Sequence, residues 1–124
     1  MGDRASETPL YERIGGREAV EQAVDVFYEK VLADDLVSSF FEGTDMNRQR
    51  GKQRAFLSYA FGGPARYTGK DMRESHRHLD LREEHFIAIA NHLQGTLEEM
   101  GVAEDLVGQA MAIAASTHDD VLNL

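Results

Sequence analysis

Residues 44–60 read TDMNRQRGKQRAFLSYA, and the fold turns on where two glutamines fall in that stretch. Thr44 or Asp45 is a good helix cap, because a short oxygen-bearing side chain there accepts from the free N–H groups of the first turn. At about 100° per residue, Met46, Gln49, Gln53, Phe56, Leu57 and Ala60 share one arc of roughly 100°. Such an inward face is ordinarily apolar, since a buried amide without a partner costs about 1–3 kcal/mol. Either the amides pair within the protein, or something polar sits opposite them.

The helical period recurs on both sides of this segment. Thr8-Pro9 opens a short helix, with Pro at its first position, and Gly15-Gly16 closes it. Over 17–33, Ala19, Val20, Ala23, Val24, Phe27, Tyr28 and Val31 fall on one face. Asp34-Asp35 then caps a short helical piece that ends in Phe40-Phe41. Gly62-Gly63-Pro64 stops the glutamine helix, and 62–69 reads as a loop. A short helix over about 71–79 carries Met72, His76 and Leu79 at i, i+4, i+7. Asp80-Leu81-Arg82-Glu83 fits a capping box for a helix running to Met100, with Phe86, Ile89, Ala90, Leu93, Leu97 and Met100 inward. A last helix is predicted from Glu104 to Val121, with Leu106, Val107, Ala110, Met111 and Ala114 inward. No stretch alternates with a period of two, so the fold class is all-α. Residues 1–8 read as a loose polar tail and 9–124 as one domain.

Composition narrows the function classes. A chain of 124 residues holds one core and not two. With no cysteine there is no disulfide framework, zinc ribbon or thiolate chemistry. No apolar run approaches ~18 residues, and the tail lacks the apolar centre of a signal peptide. The expectation is a soluble, cytoplasmic protein with no membrane partner. A net charge of −9 argues against nucleic acid, whose binding rests on neutralising phosphates. Arg48, Arg50, Lys52 and Arg54 scatter around a helix axis and form no basic stripe.

Three hydrogen-bonding side chains face inward from two helices. Tyr28 lies beside Val24 and Val31, so its hydroxyl needs a buried partner. With Gln49 and Gln53 it makes either a self-satisfied Tyr–Gln network or the wall of a site for a diatomic or a water. His76 is either a core histidine with a hydrogen-bonded ring or an axial metal or haem ligand. Phe40-Phe41 is plain core or a wedge against a flat cofactor. His85 and His92 share an edge of the long helix and are expected to be solvated. The rings of His76 and His78 diverge, and no His-Glu-x-x-His zinc motif exists.

The ordered elements carry a resemblance. Leu10-Tyr11-Glu12-Arg13-Ile14-Gly15-Gly16, Phe27-Tyr28-Glu29-Lys30-Val31-Leu32-Ala33-Asp34-Asp35, Phe40-Phe41, Lys52-Gln53, Phe61-Gly62-Gly63-Pro64, Tyr67-Thr68-Gly69 and Met72-Arg73-Glu74-Ser75-His76 follow one another as in the truncated haemoglobins. The chain resembles the group I, or 2-on-2 globin, branch from about Leu10 to about Val121. The resemblance implies helices packed two over two around haem b. His76 falls on the proximal iron ligand, and Tyr28 on the distal tyrosine that hydrogen-bonds dioxygen. Gln49 and Gln53 complete that network. Phe41 wedges the haem with Phe40 beside it, and Phe56, Met72, Phe86 and Ile89 line the pocket.

Two departures accompany it. Cyanobacterial relatives place a histidine where Lys52 stands, and in some algal relatives a lysine there coordinates iron. Lys52 is then either a distal iron ligand, deprotonated from a usual pKa of ~10.4, or the ion-pair partner of a haem propionate. Some cyanobacterial relatives bond a C-terminal-helix histidine to a haem vinyl group, and His118 lies one residue out of register with it. As for activity, the resemblance implies a protein that binds dioxygen, nitric oxide and carbon monoxide. The expected reaction is nitric oxide detoxification by dioxygenation, with an external reductase and a monomeric chain. The rival expectation is oxygen storage or sensing without turnover. Donors such as Tyr28 and a Gln amide favour a partly anionic dioxygen over neutral carbon monoxide, which implies slow oxygen release.

Overall fold

The structure is a computed structural model, and it describes residues 10–62, 76–77 and 81–123. Six α-helices are defined there: α1 (Leu10–Ile14), α2 (Gly16–Leu32), α3 (Met46–Ala60), α4 (Glu83–Glu99), α5 (Glu104–Ala115) and α6 (His118–Leu122). A single 3-10 turn, Ser38–Phe41, stands between α2 and α3. No strand occurs among the described residues. The predicted tail, most of the 62–69 loop, and the 71–79 helix apart from His76 and Arg77 lie outside them, as does Met72.

α2 organises the molecule. Its inward residues Val20, Ala23, Val24, Phe27, Tyr28 and Val31 are all buried. It packs on α1, α3 and α4, while α4 also packs on α5. The pair α2/α3 therefore stacks on the pair α4/α5, the expected two-over-two arrangement. Leu57 from α3, Leu93 and Leu97 from α4, and Leu106, Val107 and Ala110 from α5 complete the core. Each such large aliphatic side chain contributes about 1.5–3 kcal/mol on burial. Val37, in the turn after α2, is also wholly buried. The end of α3 is tied to α1 where the Tyr11 N–H donates to the Phe61 carbonyl at 2.8 Å.

Local chemistry explains the element boundaries. The Asp45 carboxylate accepts from the Asn47 and Arg48 N–H groups at 3.1 and 3.3 Å and so caps α3. The turn from α1 into α2 needs Gly15, whose φ is +134°. A Cβ there would stand 2.8 Å from the Ala19 Cβ.

Two sequence expectations are corrected. Glu83 is the first residue of α4 and not the third of its capping box, and Arg82 is the cap. The His85 Nδ1 accepts from the Arg82 N–H at 3.0 Å, the role a glutamate usually takes. The single last helix is instead two, α5 and α6, broken at Ser116 and Thr117. The Ser116 hydroxyl donates to the Ile113 carbonyl and the Thr117 hydroxyl to the Ala114 carbonyl at 2.7 Å. Hydroxyls that take such carbonyls compete with the helix ladder and end it. No helix among the described residues is long and apolar enough to cross a membrane.

Candidate functional site

Two of the three polar residues read from the sequence, Tyr28 and Gln49, meet where α2 faces the start of α3. Tyr28 is 1% exposed. The Gln49 Nε2 donates to its hydroxyl oxygen at 3.1 Å. The hydroxyl's own hydrogen is left without an acceptor among the described residues. Gln53, one turn further along α3, is half-buried, and its amide has no partner among the described residues. So the inward amides are not merely satisfying one another: the Tyr–Gln pair forms, yet one donor on the tyrosine and the whole Gln53 amide remain open.

The tyrosine is held tightly. The Phe27 ring meets it edge-on at 5.1 Å and the Phe41 ring at 5.6 Å. Burial pushes its pKa above the ordinary 10.0, partly offset by the Gln49 hydrogen bond and the Arg50 charge. It is therefore a neutral phenol at physiological pH, a hydrogen-bond donor and not a base.

The core is bordered by an unfinished apolar surface, which Phe41 joins to Tyr28. Phe40, Phe41, Met46, Phe56 and Ile89 pack against the core, yet each stays half-buried. Phe86 is likewise half-buried and meets the His118 ring edge-on at 5.0 Å. Phe40 meets the His85 ring in the same way at 4.9 Å. His76 is helical and half-buried. Lys52 is exposed, and no carboxylate pairs with it among the described residues.

This donor set fits haem b. One half-buried imidazole suits an axial ligand, the aromatic rim suits a flat apolar macrocycle, and the open Tyr28 and Gln53 donors suit a small polar ligand. Among the described residues no group of three or more His, Cys, Asp or Glu side chains could hold a bare metal ion.

Several polar contacts escaped sequence reading. His92, expected to be solvated, instead donates from Nε2 to Asp34 Oδ2 at 2.6 Å, tying α4 to the turn after α2. That bond, with the Leu36 N–H, holds the Asp34 carboxyl below its usual 3.8. His85, also expected in solvent, accepts from the Arg82 N–H at the start of α4 and meets the Phe40 ring edge-on. His118 donates from Nε2 to Glu83 at 2.6 Å and from Nδ1 to Asp119 at 2.9 Å, which raises its pKa above 6.5. Arg50 pairs with Asp25 at 3.5 Å. A periodicity that marks faces contains no sign of the Asp34–His92, Glu83–His118 and Asp25–Arg50 pairs, which join residues far apart in the chain.

Comparisons with known proteins agree with this fold. The bacterial-like globin family matches residues 9–123. A group 1 truncated haemoglobin of Synechocystis is 52% identical, covering 92% of this chain and 97% of its own length. The crystal structure of the Synechococcus 2/2 haemoglobin, in the cyanomet state with covalently attached haem, superposes with a TM-score of 0.90. It is 44% identical over 94% of this chain and 100% of that one. The truncated haemoglobin of Tetrahymena pyriformis was solved in its Fe(III) form with a tyrosine replaced by phenylalanine and with each of two glutamines replaced by glutamate. These variants superpose at a TM-score of 0.87 and 41% identity, covering 93% of this chain and 98% of theirs.

Proposed function

This chain belongs to the bacterial-like globin family, and within it to the group 1 truncated haemoglobins that bind haem and oxygen, and on that footing we propose that it oxidises nitric oxide to nitrate. The balance is one nitric oxide, one dioxygen and one electron giving one nitrate. The electron comes from a separate reductase, and the chain works as a monomer in the cytoplasm. Haem b, when bound, supplies the iron at which diatomic gases bind and through which that electron passes.

The protein's own residues do the rest. His76 would hold the iron of a bound haem. Phe40, Phe41, Phe56, Phe86 and Ile89 would cover the macrocycle and exclude water, and the family resemblance gives Met72 the same part. Tyr28 and the Gln49 and Gln53 amides would donate to a partly negative ligand oxygen. The observation that carries this reading is the buried Tyr28 hydroxyl, which accepts from Gln49 and keeps its own hydrogen available. The tyrosine and two glutamines replaced in the Tetrahymena protein have the same spacing along their chain as Tyr28, Gln49 and Gln53 have here, which supports the assignment. A preorganised donor pair in a dry site stabilises developing negative charge far better than water does.

The test is nitrate yield. Haem-loaded protein in air-saturated buffer with a one-electron reductant is mixed with nitric oxide. Nitrate forming faster than the dioxygen complex decays by itself supports turnover. Nitrate at or below that background rate leaves an oxygen-binding globin without this activity.

A further inference from the structure

Beside the Gln49–Tyr28 bond lies a second bridge between the same two helices. Arg50 follows Gln49 on α3, and its Nε stands 3.5 Å from the Oδ1 of Asp25, which precedes Tyr28 by about one turn of α2. The Arg50 Nε has no contact with solvent and no hydrogen-bond partner of good geometry. Its side chain is 30% exposed, whereas that of Asp25 is 65% exposed. Water therefore screens the carboxylate far more than the guanidinium, and the pair leaves a net positive field on the buried side.

We propose that Arg50 is a positioning residue that sets the electrostatic potential of the distal site: it keeps a permanent cation behind Tyr28 and Gln49, with Asp25 as its solvent-side counter-charge, and so biases the site towards ligands that carry negative charge. This deepens the function proposed above and rests on haem being held by His76. Arginine suits the task because it stays charged at every physiological pH and tolerates partial burial better than an ammonium group. The Arg50 charge also acts on Tyr28 itself, opposing the rise in pKa that burial causes and making the hydroxyl a stronger donor.

The inference has a test separate from turnover. The carbon–oxygen stretch of the ferrous carbon monoxide complex reports the potential at the distal site, falling as that potential becomes more positive. It is read by infrared spectroscopy on haem-loaded protein and on the Arg50→Gln, Arg50→Lys and Asp25→Asn variants. The stretch rises in Arg50→Gln, returns most of the way in Arg50→Lys, and falls in Asp25→Asn, because removing the counter-charge leaves the cation less neutralised. Dioxygen release is severalfold faster in Arg50→Gln and slower in Asp25→Asn. A stretch unmoved by any of these changes overturns the proposal. So does a shift of the same sign in Arg50→Gln and Asp25→Asn, which would make the pair a mechanical clamp between helices. If Arg50→Gln does not fold, the opposed directions of Arg50→Lys and Asp25→Asn decide it. A protein that fails to form nitrate but shows these shifts loses only the turnover reading.

Discussion

The Tyr28 hydroxyl and the Gln49 amide nitrogen stand 3.1 Å apart, and the bond between them joins α2 to α3. Each side chain thereby fixes the other's rotamer, and a donor held in place before the ligand arrives loses little freedom on binding.

Removing the hydroxyl should speed ligand loss. Tyr28→Phe deletes one donor to a partly charged oxygen, a bond worth about 1.5–3 kcal/mol, so dioxygen dissociation rises about tenfold to a hundredfold. Carbon monoxide dissociation changes much less, since that ligand carries little charge. Gln49→Leu gives the same direction with a smaller effect, because Tyr28 keeps its own hydrogen. Stopped-flow displacement of each ligand checks both.

Lys52 is exposed, so its amine is expected to leave the iron free in the ferrous protein. The dithionite-reduced, ligand-free spectrum then shows one broad visible band, and Lys52→Ala leaves it unchanged. Two sharp bands that collapse to one broad band on substitution would instead make Lys52 the sixth ligand.

His118 predicts a pH effect of definite sign. Both ring nitrogens donate to carboxylates, so the charged form is favoured and the pKa is raised above 6.5. The stabilisation is fully present below that ordinary value and disappears as pH rises through the raised one. The melting temperature of His118→Gln therefore lies below that of the parent at pH 6, and the gap closes at alkaline pH.

Gly15→Ala should be among the most damaging changes remote from the site. It forces an L side chain to a φ of +134° and puts its Cβ 2.8 Å from that of Ala19. A cost of about 1–3 kcal/mol is expected, read as a lower denaturation midpoint with an unchanged slope.

The parts legible in the sequence were those that depend on local chemistry. Val24, Tyr28 and Val31 declared their face by spacing, Asp45 its cap by its carboxylate, and Gln49 its anomaly by breaking an apolar stripe. The pairs Asp34–His92, Asp25–Arg50 and Glu83–His118 were not legible, because each joins elements whose relative placement depends on the whole packing. Thr96 shows the same limit. It sits on α4 among Leu93 and Leu97, wholly buried, with its hydroxyl donating to the His92 carbonyl at 2.7 Å. A polar residue that satisfies itself on its own helix reads as surface when only hydropathy is considered. The break between α5 and α6 was hidden for a related reason, since Ser116 and Thr117 are neutral in propensity and act through bonds to carbonyls.

The half-buried ring of Phe40, Phe41, Phe56 and Phe86 has a consequence for the life of the polypeptide in a cell. Apolar side chains left partly wet withhold some of the stabilisation that full burial brings, and a flat cofactor that covers them becomes part of the core. Any ligand bound by the folded chain alone adds stability, by about 2.7 kcal/mol at a concentration a hundredfold above its dissociation constant. Haem bound at that face would therefore add to the stability of the folded chain, and the amount that escapes proteolysis is expected to rise with haem supply even when transcription is constant.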